Sequence, residues 1–273
     1  MIIDLPAAAP FDFGHSLRFL GVFRPTSGDQ TIADLTLTKA FRVAGQTVAV
    51  RLTPHDGGLR AEVLSGAAPA GELADRISFY LSLGDDLTEF YAIGRQDPAF
   101  TQVIDRLYGY HQVKFPTPLE NLVWAILSQR TPLSVAARAK RALFVDDVFP
   151  DLDQLLAVPE ERLSELVGNV RKGERLYRAL RGWAETDETF LREGPYDEVK
   201  AFLLGLPGVG AWSANFVLIR GLGRMDESPV ERELLKAAAR AYGRAVSEED
   251  IRELAKPYGP WQGYWAHYLR AGA

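Results

Sequence analysis

The hydrophobic periodicity of this 273-residue chain changes near residue 100. Before that point, several segments alternate apolar and polar residues and are rich in Val, Thr, Leu and Phe, which predicts strands. These segments are 16–23, 31–43, 47–54 and 59–65. Turn residues separate them at short spacing, which favours an antiparallel meander. Segment 72–84 instead has a helical apolar face. Residues 1–100 are therefore predicted to form an α+β domain of antiparallel strands with helices.

From residue 100 onward, apolar residues recur at helical spacing, and the segments that carry them are separated by short breaks marked by Pro or Gly. This pattern is typical of a bundle of short helices. Two helix starts are well signalled. Thr117 before Pro118 predicts an N-cap followed by proline at the first helical position, and Ser247 with Asp250 fits a capping box.

Composition excludes several classes of protein. The chain has no cysteine, so disulfide frameworks, cysteine-ligated zinc or iron–sulfur sites and a cysteine nucleophile are absent. Its four histidines are scattered without metal-ligand spacing. No apolar run approaches the ~20 residues that cross a bilayer, and the N-terminus lacks a basic region before an apolar one. We expect a cytoplasmic protein, associated with the nucleoid if prokaryotic, with no membrane partner.

The net charge of −5 argues against nucleic acid as a partner. Two stretches are nevertheless basic. Residues 121–141 contain Arg130, Arg138, Lys140 and Arg141 and no acidic residue, and residues 171–181 contain five basic residues against one acidic residue. Charge alone leaves two interpretations open, which are contacts to phosphates and solvated helix faces.

The most informative stretch is AFLLGLPGVGAWSANFVLIR, residues 201–220. It predicts a helix that ends at Gly205, a tight turn, and a second helix that begins near Ala211. Gly208 and Gly210 permit positive φ and leave backbone N–H groups uncovered at the start of that helix, where the dipole favours an anion. Such a turn can hold a DNA phosphate through its backbone, which needs little net charge. The alternative is a turn that uses glycine only for steric reasons.

The string LPGVGxWxANF resembles the helix-hairpin-helix of the base-excision DNA glycosylase superfamily. Three further segments resemble 3-methyladenine DNA glycosylase II in particular, and they are 118–143, 171–185 and 260–272. The resemblance covers residues 106–273. It implies a helical domain over 101–205, and a region 206–273 in which the hairpin, a catalytic loop and the C-terminal helices pack on that domain.

The resemblance also implies an activity. The enzyme would flip an alkylated purine out of duplex DNA, hydrolyse its N-glycosidic bond and leave an abasic site. Its partner would be double-stranded DNA with damaged bases, the chain would act as a monomer, and no cofactor would be required. Bifunctional relatives place a lysine two residues after the GVG turn, where this chain has Trp212. Because a Schiff base needs an amine, no lyase activity is expected.

A carboxylate near C1′ stabilises the sugar cation in such a reaction. The position that matches the family's catalytic Asp is Glu231 here, and Val230 stands where the motif has a second Asp. Asp226 is the alternative acid. A further interpretation is that Glu231 is only a first-turn acid favoured by the helix dipole.

The resemblance assigns the base pocket to Gln129, Trp212, Phe216 and Trp261, whose aromatic faces attract a cationic alkylated purine. The alternative is that these aromatic residues belong only to the core, which is where Trp124 and Trp265 are expected. Arg220 and Arg224 are expected on the surface, and neutralisation of nearby phosphates is their alternative role.

Arg130 would either enter the vacated base position or contact a phosphate. The expected DNA contacts are Arg130, Gly208, Val209, Gly210 and Arg232. The carbonyls of Leu204, Leu206 and Val209 would hold Na⁺ or K⁺ at the hairpin.

Two alternatives stay open at this point. The chain could be a non-catalytic protein that binds damaged DNA, which the replacement at Glu231 and the acidic total charge favour. It could also be a glycosylase for deaminated or oxidised bases.

Overall fold

The computed structural model describes residues 1–272. Its N-terminal part contains a five-stranded antiparallel sheet of order β1-β5-β4-β3-β2. The strands are β1 (Ile2–Leu5), β2 (Gln30–Ala33), β3 (Thr36–Val43), β4 (Gln46–His55) and β5 (Gly58–Ser65). The predicted α+β start is therefore confirmed. Segment 31–43 forms two strands instead of one, because Asp34 turns the chain with a φ of 52°.

The strand predicted at 16–23 is wrong, since these residues lie in and just after helix α1 (Phe13–Val22). The side chain of Asp12 caps this helix by accepting the N–H of Gly14 at 2.8 Å. Its buried residues include Phe13, Leu17 and Leu20. These residues are spaced as on one face of a helix, but over a short stretch the same spacing resembles the apolar–polar alternation of a strand. Segment 72–84 is helical as predicted up to Leu81 and forms most of α2 (Ala70–Leu81), and the helix ends there because Ser82 is left-handed with a φ of 54°.

The remainder is helical apart from short connections, which confirms the predicted fold class. The helices are α3 (Thr88–Gly94), α4 (Pro98–Leu107), α5 (Pro118–Ser128), α6 (Leu133–Arg141), α7 (Leu152–Leu156), α8 (Glu160–Val167), α9 (Val170–Trp183), α10 (Glu188–Glu193), α11 (Tyr196–Gly205), α12 (Ala211–Phe216), α13 (Arg232–Tyr242), α14 (Glu248–Ala255) and α15 (Gln262–Gly272). Helix α12 continues into a π-helical segment, Val217–Leu222, and short 3₁₀ turns occupy Arg24–Thr26 and Lys256–Trp261.

The local signals at helix ends are confirmed. Thr117 accepts the N–H of Glu120 at 3.1 Å, and Pro118 is the first residue of α5. The capping box of Ser247 and Asp250 opens α14. The short helices α3 and α10 were not predicted, since neither is long enough to show a clear apolar stripe.

Buried apolar residues form three clusters. One fills the space between the sheet, α1 and α2. A second surrounds α5, whose residues 118–127 are all buried. The third combines residues 87–110 with the C-terminal helices. None of the helices in residues 1–272 has both the length and the apolar character that crossing a bilayer requires.

Candidate active site

The turn between α11 and α12 has the geometry of a backbone anion clamp. Gly208 has a φ of 82°, and a Cβ placed there would lie 3.2 Å from the Arg175 side chain, so this position requires glycine. Gly210 is extended, with a φ of −100°, and does not use the freedom expected of it. Within residues 1–272, the N–H groups of Gly208 and Gly210 have no hydrogen-bond acceptor. Both therefore remain available as donors at the start of α12.

Gln129 fastens this turn to the end of α5. Its Nε2 donates to the carbonyl oxygen of Gly208 at 2.7 Å and to the hydroxyl of Ser213 at 3.0 Å. Gln129 does not lie among the residues that line the neighbouring cleft. The structure thus places it at the hairpin, and does not bring it to the pocket that the resemblance implies.

A cleft of about 480 Å³ opens beside the hairpin and is mostly apolar. This volume is within the usual range for a small-ligand site, roughly 300–1,000 Å³. The cleft is lined by Phe19, Phe23, Ala211, Trp212, Asn215, Phe216, Ile219, Arg220, Pro229, Val230, Glu231 and Arg270. It therefore brings together Trp212, Phe216 and Glu231, three of the residues singled out in the sequence.

Trp212 and Phe216 form a parallel stack on one wall of the cleft. Their ring centroids are 5.2 Å apart and their planes differ by 8°. Trp212 is 51% exposed, which is unusual for an indole that serves only as core. The pair therefore presents aromatic surface to whatever enters the cleft.

Glu231 is the N-cap of α13, with an extended backbone, but its side chain does not cap the helix. Its carboxylate instead forms an ion pair with the Nη1 group of Arg270 in α15, and both side chains are partly buried. Asp226, the alternative acid, lies outside the cleft lining and pairs with Arg224 at 3.6 Å. Of the two candidate acids, only Glu231 faces the cleft.

Trp261 is not brought to the cleft. It packs against Phe90 and Tyr264, and its Nε1 donates to Glu89 at 3.1 Å. This position follows from α3, which supplies Glu89 and Phe90 and was not predicted. Trp124 and Trp265 are buried in the core as expected.

The expectation that Arg220 is a surface residue is wrong. Its guanidinium lies 4.6 Å from the ring centroid of Phe19 and 5.8 Å from that of Phe23, and it donates to the carbonyl of Val113 at 3.1 Å. Burial lowers the pKa of Arg220 to about 10, which leaves it charged at neutral pH. Arg224 is partly buried as well and donates to the carbonyl of Gly194 at 2.8 Å.

The cleft residues that sequence reasoning missed include Phe19, Phe23, Asn215 and Arg270. Phe19 and Phe23 share one face at a spacing of four residues, a signal that was hidden by the strand interpretation of this segment. The Oδ1 atom of Asn215 is buried and has no hydrogen-bond donor within residues 1–272. Arg270 carries no local signal, since only the packing of α15 against α13 brings it to Glu231.

The two basic stretches differ from each other. Lys140 is buried, where its Nζ pairs with Glu120 at 2.6 Å and with Asp29 at 2.8 Å, so its interpretation as a phosphate contact is wrong. Lys172 donates to the carbonyl of Gln129 at 2.9 Å and also to Leu127 and Thr131. The arginines of these two stretches that are exposed and have no carboxylate partner within residues 1–272 are Arg130, Arg138, Arg171, Arg175, Arg178 and Arg181. Arg232 is likewise exposed and without a carboxylate partner in the described residues.

Known proteins resemble this chain in sequence and in fold. No family model matches the chain. A DNA-3-methyladenine glycosylase of Bacillus subtilis (strain 168) is 26% identical to it over 215 residues, which cover 72% of this chain and 71% of that protein.

Solved structures decide the fold. A 3-methyladenine DNA-glycosylase from Archaeoglobus fulgidus is similar over 99% of this chain and 97% of its own, with a TM-score of 0.76 and 21% identity. The chain has the helix-hairpin-helix glycosylase fold. An 8-oxoguanine glycosylase/lyase of Clostridium acetobutylicum is also similar, with a TM-score of 0.67 and 17% identity over 96% of this chain and 93% of its own. Proteins named for different bases therefore share this helix-hairpin-helix glycosylase fold.

No lysine is found among the residues that line the cleft of this helix-hairpin-helix glycosylase fold. Lys172 is held by the three hydrogen bonds described above. Lys236 pairs with Glu233 at 2.9 Å on the surface of α13. Neither lysine lines the cleft.

Three carbonyl oxygens at the hairpin of this glycosylase fold keep lone pairs that are free of hydrogen bonds in the part of the chain that the structure describes. Those of Leu204 and Val209 accept no hydrogen bond within residues 1–272, and that of Leu206 accepts only the N–H of Val209, at 3.0 Å. Each carbonyl oxygen has two lone pairs, so all three can coordinate. Residues 1–272 contain no cluster of three His, Asp or Glu side chains that would hold a metal ion.

Proposed function

We propose that this chain is a monofunctional DNA glycosylase, which excises alkylated purines of the 3-methyladenine class from duplex DNA and leaves an abasic site. One observation carries the proposal. A single cleft combines the stacked Trp212–Phe216 pair with the carboxylate of Glu231. The B. subtilis and A. fulgidus proteins are named for the same class of base.

Double-stranded DNA is held at the hairpin. The free N–H groups of Gly208 and Gly210 donate to one phosphate, and the positive end of α12 adds to the attraction. Arg175 and Arg232 contact neighbouring phosphates, and Na⁺ or K⁺ at the three hairpin carbonyls offsets the negative charge there. These contacts are independent of base sequence, as a search for rare lesions requires. One chain supplies the hairpin and the cleft, so the protein acts as a monomer.

The flipped base stacks on the aromatic wall. Cation–π attraction to an indole is worth about 0.5–2 kcal/mol, depending on desolvation, and it favours a methylated purine cation over a neutral base. The unpartnered Oδ1 of Asn215 accepts a hydrogen bond from the exocyclic amino group of adenine, which relieves a buried acceptor.

The reaction breaks the bond between N9 of the base and C1′ of the deoxyribose. The bonding electron pair goes to the base, which was cationic and leaves neutral, so the base needs no proton. Positive charge then develops on the sugar, and the carboxylate of Glu231 stabilises it. Water adds to C1′, and its proton is taken up by Glu231 or by solvent. The ion pair with Arg270 orients the carboxylate throughout.

The absence of a lysine from the cleft lining supports hydrolysis without strand cleavage. A lyase forms a covalent bond between an amine and C1′, and here Trp212 occupies the place of that amine. Borohydride trapping should therefore yield no covalent complex with damaged duplex. A trapped complex would refute the monofunctional part of the proposal.

The decisive experiment is incubation of the purified protein with methylated genomic DNA and identification of the released bases by mass spectrometry. We expect release of 3-methyladenine. Glu231→Gln should reduce the rate of this release at least about 100-fold, because it removes the negative charge that stabilises the sugar cation. Asp226→Asn is the matched control, and it should leave release unchanged. If both variants behave alike, the assignment of Glu231 is wrong.

The same experiment tests the alternatives. Binding of damaged duplex without base release at any enzyme excess would indicate a non-catalytic damage sensor. If only deaminated or oxidised bases are released from duplexes with single defined lesions, the proposed hydrolysis stands and the substrate assignment changes.

A further inference from the structure

A second cavity lies beside the cleft and shares three of its residues, Phe19, Arg220 and Arg270. It measures about 420 Å³ and is bounded by α1, the end of α4 and the C-terminal helix α15. Its remaining lining residues are His15, Arg18, Val22, Leu107, Tyr110, His267 and Ala271. The proposed glycosylase reaction uses none of these remaining residues.

The charge of this cavity is positive. Three arginines line it and no carboxylate does. Two acidic side chains of the described residues contact its lining. They are Asp12, whose Oδ2 is 3.6 Å from Nε2 of His15, and Glu231, which pairs with Arg270 from the cleft side. The carbonyl end of α15 adds partial negative charge, but the three guanidinium groups outweigh it.

Two hydrogen-bond donors lie behind the cavity wall with almost no surface open to the cavity, and both lack acceptors among the described residues. Nδ1 of His267 lies 3.2 Å from Nη2 of Arg220. Because a guanidinium only donates, Nδ1 must accept, and the ring proton of the neutral imidazole is on Nε2. This Nε2 is buried without a partner within residues 1–272, and so is the hydroxyl of Tyr110. Burial and the neighbouring arginines hold the pKa of His267 well below its usual value, which keeps the ring neutral.

His15 follows the same logic. Its Nδ1 accepts from Nη2 of Arg18 at 2.6 Å, which leaves the ring proton on Nε2. The distance from this Nε2 to Asp12 is too long for a hydrogen bond. His15 therefore brings to the cavity a ring N–H without a partner in the described residues, and together with the three guanidinium groups it points to a ligand rich in acceptors.

We propose that this cavity binds a phosphate group, which contacts the guanidinium groups of Arg18 and Arg220. A phosphate has enough oxygens for several charged donors at once, whereas a carboxylate has two. The group is either inorganic phosphate or a phosphate of a nucleic acid strand. This site gives the N-terminal domain a binding role, because α1 supplies His15 and Arg18.

Arg18→Gln tests the site, because Arg18 is exposed and its replacement leaves the core intact. Arg24→Gln is the matched control, since Arg24 is exposed in the same domain and lines neither cavity. Two probes are titrated at constant ionic strength. One is potassium phosphate, followed by calorimetry against potassium chloride. The other is a short undamaged duplex with a 5′-phosphate, compared by fluorescence anisotropy with the same duplex ending in a 5′-hydroxyl.

We expect saturable binding that Arg18→Gln weakens about tenfold, which corresponds to the loss of one charge-assisted contact, and that Arg24→Gln leaves unchanged. An effect seen with potassium phosphate identifies free phosphate as a ligand. An effect seen with a duplex and not with potassium phosphate identifies a strand phosphate, which is the terminal one if only the 5′-phosphorylated duplex shows the effect. If neither probe depends on Arg18, the proposal is overturned. Neither probe involves base release, so the glycosylase proposal stands or falls separately.

Discussion

Replacing Gln129 by Met separates two roles that this residue could have. Methionine has a similar volume but cannot donate, so the variant loses the hydrogen bonds to Gly208 at 2.7 Å and to Ser213 at 3.0 Å. Each bond contributes about 1 kcal/mol net, which gives an expected loss of about 2 kcal/mol in the free energy of unfolding. The affinity for undamaged duplex should also fall, by at most about 30-fold, since these bonds hold the hairpin in place.

Urea denaturation measures the first effect and fluorescence anisotropy with undamaged duplex measures the second. Gln102→Met is the control, because Gln102 is exposed and its side chain makes no hydrogen bond within residues 1–272. Combining Gln129→Met with Ser213→Ala in a double-mutant cycle isolates the contribution of the Ser213 bond. The reasoning is refuted if Gln129→Met keeps its stability and its affinity for undamaged duplex but loses base release. Gln129 would then act on the base, as the family resemblance implies.

Three further predictions concern the hairpin, the carboxylate and the phosphate contacts. Gly208→Ala should cost roughly 1–2 kcal/mol of stability, because a side chain is disfavoured at positive φ. The extended Gly210 has open space around it, and an equal loss in Gly210→Ala would contradict this explanation. Arg270→Met should lower the rate of base release at least about tenfold, because Glu231 loses the partner that orients it. This corresponds to an increase of about 1.4 kcal/mol in the reaction barrier. The affinity for undamaged duplex should be unchanged. An unchanged single-turnover rate would exclude that role. The slope of the logarithm of the DNA-binding constant against the logarithm of the salt concentration should be no steeper than about −5, since each neutralised phosphate contributes about 0.9. A steeper slope would mean that more arginines contact phosphates than the backbone clamp requires.

Features that depend on local sequence were predictable. The end of α11 at Gly205 and the start of α12 at Ala211 follow from glycine positions alone, and the caps at Thr117 and Ser247 follow from side chains that reach only a few residues. Such signals act within one turn of chain. For the same reason, the hairpin is the best predicted part of the candidate site.

Features that depend on distant packing were not predictable. Arg270 and Glu231 meet only because α15 packs against α13. The indole of Trp261 packs against Phe90 of α3, a helix too short to be seen in the sequence. A family resemblance supplies residue types at matching positions, but it does not supply the neighbours that decide where a side chain lies. This is why Trp261 lies elsewhere although Trp212 lines the cleft.

The N-terminal domain is part of the site and not only a support for it. Phe19 and Phe23 form one wall of the cleft, and the guanidinium of Arg220 stacks over both rings. The same guanidinium donates to the carbonyl of Val113, so one side chain joins α1, the chain that enters α5 and the π-helical end of α12. An arginine that bridges three elements fixes their spacing, and the width of the cleft depends on that spacing. It follows that helix α1, which the sequence pattern predicted as a strand, determines the shape of the cleft beside the hairpin.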